Sequence, residues 1–152
     1  MKPFFQYAAF MTPGRAGLYA DAGLLLLRLW LGLSMLLLHG VGKMQKLLAG
    51  GEIKFADPLG IGIRNSLMLA VFAETLCAAA LIVGLATRLA LTQLIATMAV
   101  AFFIVHKMQL AMGPGSGELA FIYLGGFLTL LVAGPGRFSL DFLVLNHYRK
   151  AT

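Results

Sequence analysis

The sequence predicts an all-α integral membrane protein, an up-and-down bundle of four spans with a short interfacial helix or loop between spans 1 and 2. Three observations predict it. Hydrophobic residues make up 60% of the 152-residue chain and charged residues 12%, against about 45–50% and about 25% in soluble domains. The mean hydropathy is +0.88, more apolar surface than a water-soluble chain of this length can hide. The apolar residues also fall into long runs, divided by glycine- and proline-bearing turns.

Residues 1–20 read as an interfacial N-terminal arm. Phe4, Phe5, Tyr7 and Phe10 sit among Lys2, Arg15 and the break Pro13-Gly14, a mixture suited to lipid headgroups. The apolar run that follows carries Arg28 and lacks a small-residue cleavage site, unlike a secretory signal. Residues 21–145 form the transmembrane domain and residues 146–152 a polar C-terminal tail.

The first span runs from about Gly23 to Leu38 and continues helically towards Leu48, where Ala49-Gly-Gly51 stops it. Residues 50–64 hold Glu52, Lys54, Asp57, Pro58 and Arg64, a polar connection with room for a short surface helix. The second span runs from about Asn65 to Gly84. Gly84 to Arg88 makes a tight hairpin into the third, from about Leu89 to His106. Met112 to Gly117 is a flexible turn. The fourth span, about Leu119 to Ala133, ends at Gly134-Pro-Gly-Arg137. A span needs roughly 20 residues, so the first and fourth need polar flanks to extend them or a thinned bilayer.

The net charge of +6 comes from bases at the ends of apolar runs, where Lys and Arg meet headgroups. There is no basic stripe interleaved with aromatics, and nucleic acid is set aside as a partner. Membrane lipid is the expected surround. The bases divide almost evenly between the two sides, with a slight lean to cytoplasmic termini. Cys77 is the single cysteine; this excludes an internal disulfide, a redox Cys pair, c-type haem attachment and a cysteine-held iron–sulfur cluster.

The polar groups inside the spans carry the functional reading. Glu74 lies midway along its span, where a carboxyl turned to lipid costs roughly 2.5–3.5 kcal/mol or more. It must face a protein interior, pair with a cation or donor, or hold a proton. A buried pair with Arg28 or a hydrogen bond to a neighbouring helix is the plain structural alternative. Arg28, Met35, His39 and Lys43 return near one helical face at 3.6 residues per turn. Threading then places His39, Lys43, His106, Lys107 and Glu118 at one end. Arg28, Arg88, Arg137 and Asp141 come together at the other, with Glu74 between. Arg28 and Arg88 equally suit lipid phosphates, Lys43, Lys46 and Lys107 suit interfacial anchors, and His106 and Glu118 suit helix ends. Two histidines without a motif are weak ground for haem, and no metal site is assigned. A quinone needs an apolar slot, donors for its carbonyls and a protonatable neighbour, and His39, Glu74 and His106 would supply the polar part.

The run Leu24 to Arg28, His39-Gly40 with Lys43, Glu74 ahead of Gly84 to Arg88, His106, Glu118, and Gly134-Pro-Gly-Arg137 with Ser139 and Asp141 resemble the DoxX family over roughly residues 22–145. The resemblance implies a four-helix protein of the bacterial or archaeal cytoplasmic membrane. Family members include small subunits of thiosulfate:quinone oxidoreductase and proteins tied to quinone detoxification or redox-stress membrane complexes. On this reading Arg28, His39, Lys43, Glu74, Arg88, His106, Glu118 and Arg137 are the quinone-binding positions. Glu74, His106 and His39 are the catalytic ones: Glu74 or His106 delivers protons, while His39, Arg28 or Lys43 polarises a carbonyl. A partner redox subunit or a homo-oligomer completes the site. The alternatives are a non-enzymatic anchor or assembly factor and a small lipid or solute carrier.

Overall fold

A computed structural model describes residues 13–110, 113 and 115–151, and its described elements are all helical. Most of the expected N-terminal arm, and part of the turn from Met112 to Gly117, lie outside the described residues. Helix α1 comprises Pro13–Ser34, a π-helical stretch Met35–Gly40, and Val41–Leu48. Helix α2 has the same plan: Ile63–Val71, a π stretch Phe72–Cys77, and Ala78–Val83. Helix α3 is Thr87–Ala99 followed by a π stretch Val100–Val105. Helix α4 is Glu118–Ala133 and α5 is Leu140–Ala151. Residues 146–151, expected as a polar tail, continue α5.

Three helices are long and apolar enough to cross a membrane: Gly17–Leu48, Ile63–Val83 and Thr87–Val105. The 32-residue stretch of α1 rises about 48 Å at 1.5 Å per residue. That exceeds the roughly 30 Å of hydrocarbon, so its ends reach the polar interfaces. The 16 residues of α4 rise only about 24 Å, and α4 is the shorter apolar helix. The connection between α1 and α2 forms no helix. Asp57 organises it instead, accepting hydrogen bonds from the N–H groups of Ile61 (3.1 Å) and Gly62 (2.9 Å) and from the Ser66 hydroxyl (2.7 Å). The Ser66 bond leads the effects that hold the Asp57 carboxyl below its ordinary range, and these backbone N–H bonds add to it.

Small residues set how the helices meet. Gly40 of α1 crosses directly over the Glu74 carbonyl of α2, and any Cβ there would overlap that oxygen. Further along, Gly32 faces Ile82 and the Ala78 carbonyl, so the two helices run antiparallel. The pairing of α1 with α4 is also antiparallel: His39 meets Tyr123, Leu31 meets Gly126, and the Arg137 N–H donates to Asp21 Oδ1 at 3.0 Å. Between them lies a core that includes Leu31, Leu81, Leu91, Leu94, Phe127 and Leu130. Many large apolar side chains point outward instead, among them Leu26, Trp30, Leu69, Phe72 and Val132. In a membrane these face acyl chains, which is why so much exposed apolar surface is stable.

One end of the assembly is tied by a polar knot. Arg28 is fully buried, its Nη2 donating to the Phe138 carbonyl and its guanidinium packed against Gly84. The Asp141 N–H donates to the Gly84 carbonyl at 2.9 Å. The Asp141 carboxylate accepts from the N–H groups of Ala86 (2.7 Å) and Thr87 (2.8 Å), capping α3. Burial would raise the Asp141 carboxyl, but the Thr87 and Ala86 hydrogen bonds and the Arg28 charge outweigh it and hold the group below its ordinary range. Gly84 has φ 71°, and a side chain there would strike both Arg28 and Ser139.

Candidate functional site

The three π-helical stretches lie in three different helices and all contribute to one place. π turns insert an extra residue into the helical ladder and occur preferentially at functional sites. Here Met35 and His39 lie in the first, Glu74 in the second and Ala101 in the third, while His106 follows the third directly. All five line one internal cavity.

Its centre is an ion pair. The Lys43 ammonium contacts both carboxylate oxygens of Glu74, at 2.6 Å from Oε2. The Glu74 side chain is 2% exposed and that of Lys43 26%, so the carboxylate is the deeply placed partner. Two corrections follow. Glu74 takes its cation from Lys43, not from Arg28. Lys43, expected as an interfacial anchor, turns inward because the Gly40–Glu74 crossing brings the two backbones close enough for its stem to reach. Phe55 flanks the ammonium, its ring centre 5.8 Å from Nζ, in a cation–π contact.

Two cavities share this pair. The outer one, about 360 Å³, is a cleft between α2 and α3, roofed by Phe55, Pro58 and Leu59 of the connecting loop. Its walls include Leu69, Phe72 and Val100, and its inner end carries Lys43, Glu74 and His106. Leu69 and Phe72 are also exposed on the outer surface. The inner cavity, about 250 Å³, lies among α1 to α4 and carries His39, Tyr123 and Ser116 besides the shared Lys43, Glu74 and His106. His39 meets the Tyr123 ring edge-on, with centroids 5.6 Å apart.

His106 is positioned by strained backbone. Its N–H donates to the Ala101 carbonyl at 2.9 Å, closing the π stretch. Lys107 and Met108 then adopt φ 49° and 59°, left-handed values that non-glycine residues rarely hold. The His106 Nδ1 lies 2.7 Å from the Gly115 carbonyl. A donor Nδ1–H in that contact leaves Nε2 as an acceptor.

The expected site residues therefore divide. His39, Lys43, Glu74 and His106 come together around the cavities. Arg28 belongs to the polar knot, and its burial corrects the expectation that it reaches headgroups. Arg88, Glu118 and Arg137 line neither cavity; all three are exposed, and Arg137 Nε lies 3.4 Å from Asp21. Tyr123, Ser116 and Phe55 were not legible as site residues. Each is a lone polar or aromatic residue whose direction depends on how its segment packs.

The fold and its polar centre define a helical membrane-embedded protein with a charged pair buried between its spans. The DoxX family model matches residues 23–107, which include His39, Lys43, Glu74 and His106, and the chain belongs to the DoxX family. No curated protein and no solved structure matches it.

Proposed function

We propose that this chain is the membrane subunit of a quinone-linked redox system, with α4 as a fourth span completing an up-and-down bundle, and that it holds a quinone or quinone-like molecule in the outer cleft. The observation that carries this reading is a cleft, mostly apolar but with Ser66, Gln93 and Thr97 in its walls, that ends at the Lys43–Glu74 pair and His106. Its volume falls in the range of about 300–1,000 Å³ usual for small-molecule sites. A lipid-soluble ring slides in from the bilayer without crossing water. The Lys43 ammonium then donates to one carbonyl, and His106 or Glu74 exchanges the protons that accompany reduction. His39 acts from the inner side. Membership in DoxX adds weight, because redox and quinone systems are what the family resemblance implies.

The electrons come from a partner subunit in this reading, in the bacterial or archaeal cytoplasmic membrane with both termini inside. The test is purification in mild detergent followed by solvent extraction and chromatography for ubiquinone or menaquinone. Wild type carries quinone, while Glu74→Gln and His106→Ala carry less at unchanged monodispersity. Folded variants that retain wild-type quinone would overturn these roles.

The ion pair also favours a second reading. A contact joining α1 to α2 is what an anchor or assembly factor needs to keep its shape. That reading predicts that Glu74→Gln loses the partner in pull-down while quinone content is immaterial.

A further inference from the structure

The geometry points to the inner cavity as a blind aqueous vestibule, open beside His106 and Ser116, that brings water and protons to the Lys43–Glu74 pair from one side of the membrane only. The inner and outer cavities differ in chemistry although they share a wall. The outer cleft is lined mainly by apolar side chains and faces lipid. The inner one is the more polar in proportion: His39, Lys43, Glu74, His106, Ser116 and Tyr123 are six of its eleven lining residues, against six of seventeen in the outer cleft, Lys43, Ser66, Glu74, Gln93, Thr97 and His106. Water enters a cavity that is roomy and offers it two to four polar partners. At about 30 Å³ of liquid volume per molecule, 250 Å³ accommodates a connected cluster.

Ser116 and His106 stand in the turn between α3 and α4, whose neighbours Lys107, Gln109, Gly115 and Glu118 are exposed. At the opposite end, Met35 and Met98 line the cavity and the packed side chains of Leu31, Leu94 and Phe127 lie in the same core cluster. Beyond them lie the buried Arg28 and the Asp141 carboxylate that caps α3. Protons therefore reach Glu74 past His106, Ser116, His39 and Tyr123, and not from the side of the Gly84–Arg88 hairpin. The charged and titratable groups facing Glu74 are Lys43 and His39 of α1, His106 at the end of α3 and Tyr123 of α4. This rests on the proposed function only for the use made of the protons.

The test is cysteine accessibility in a Cys77→Ala background, with the protein reconstituted in sealed vesicles and a charged, membrane-impermeant thiol reagent on one side. Ser116→Cys, Ala120→Cys and Tyr123→Cys should lose their free thiol from the side that labels Lys107→Cys. They should keep it from the side that labels Arg88→Cys. The lipid-facing Val132→Cys and the core Leu130→Cys should stay free from both. Ala120→Cys and Tyr123→Cys staying free while Lys107→Cys reacts would overturn the vestibule, as would labelling from the Arg88 side. Hydroxyl-radical footprinting of the unaltered protein gives the same answer without substitution. Met35 and Met98 should oxidise faster than Met68, which faces outward; equal or slower oxidation would overturn the proposal. Neither readout involves quinone. A dry cavity leaves quinone binding standing, and a wet cavity in protein that never binds quinone overturns only that earlier reading.

Discussion

Lys43 and Glu74, thirty-one residues apart in the chain, form an ion pair in which the carboxylate is nearly sealed and the ammonium is partly open. The asymmetry predicts unequal costs. Removing one partner of a buried pair typically costs about 3–5 kcal/mol, because the other charge is left unpaired. Lys43→Met strands the sealed carboxylate and should approach that figure. In Glu74→Gln the Lys43 stem can swing its charge towards the interface, and the loss should be smaller. The double variant Lys43→Met with Glu74→Gln should recover much of the deficit, since it buries no lone charge. Thermal unfolding of the purified protein in one detergent checks the order. Equal losses, or no recovery, would refute it.

Paired glycines provide a test of the helix crossings. At Gly40 a methyl overlaps the Glu74 carbonyl, whereas at Gly42 it meets open space. Overpacking costs typically about 1–3 kcal/mol, so Gly40→Ala should lower the melting temperature and lengthen the Lys43–Glu74 contact. Gly42→Ala should stay within about 0.5 kcal/mol, as surface substitutions do. The same contrast holds on α4, where Gly126 abuts Leu31 and Gly125 is open. Gly126→Ala should destabilise the protein in detergent, and Gly125→Ala should leave it unchanged.

Acid sensitivity should come from two aspartates outside the spans. Both Asp57 and Asp141 have carboxyls held below the ordinary value. A group whose pKa is lower folded than unfolded stabilises the fold fully above the unfolded value, near 3.9 for Asp. That contribution is lost as pH falls from there through the folded value. Stability should therefore be flat at neutral pH and decline below about pH 4. Asp141→Asn should be less stable at pH 7 and show a shallower decline. Melting temperatures across an acid series give the result, and an unchanged slope in Asp141→Asn would count against the Asp141 cap.

The roof of the outer cleft is the subject of a fourth prediction. Phe55 stacks beside the Lys43 ammonium, and the Asp57–Ser66 hydrogen bond ties the loop to α2. Phe55→Ala should enlarge the opening and speed exchange of a bound quinone analogue, with little effect on the melting temperature. Ser66→Ala, at the cleft wall, should loosen the same loop by removing its bond to Asp57. Stopped-flow displacement of a fluorescent analogue measures both; exchange no faster than wild type in either variant would show that the loop does not cover the cleft.

Much of this protein is determined by sequence alone. Long apolar runs have only helices as a stable form in lipid, because backbone groups there must bond within their own segment. The three long spans, the glycine stops at Gly50, Gly84 and Gly134, and the need of Glu74 for shelter were legible for that reason. The choice of partner was not. Periodicity at 3.6 residues per turn puts Arg28 and Lys43 on nearly one face, and only Arg28 was read as a partner for the carboxyl. Only the tertiary structure separates them: the Gly40–Glu74 crossing sets the depth at which the helices touch, and the π stretches change which side chains turn inward beyond it. An insertion in a helical ladder and a backbone contact both depend on the neighbouring helix, so local pattern does not reveal them. The same dependence hid Tyr123 and Ser116, whose roles exist only once α4 is packed against α1.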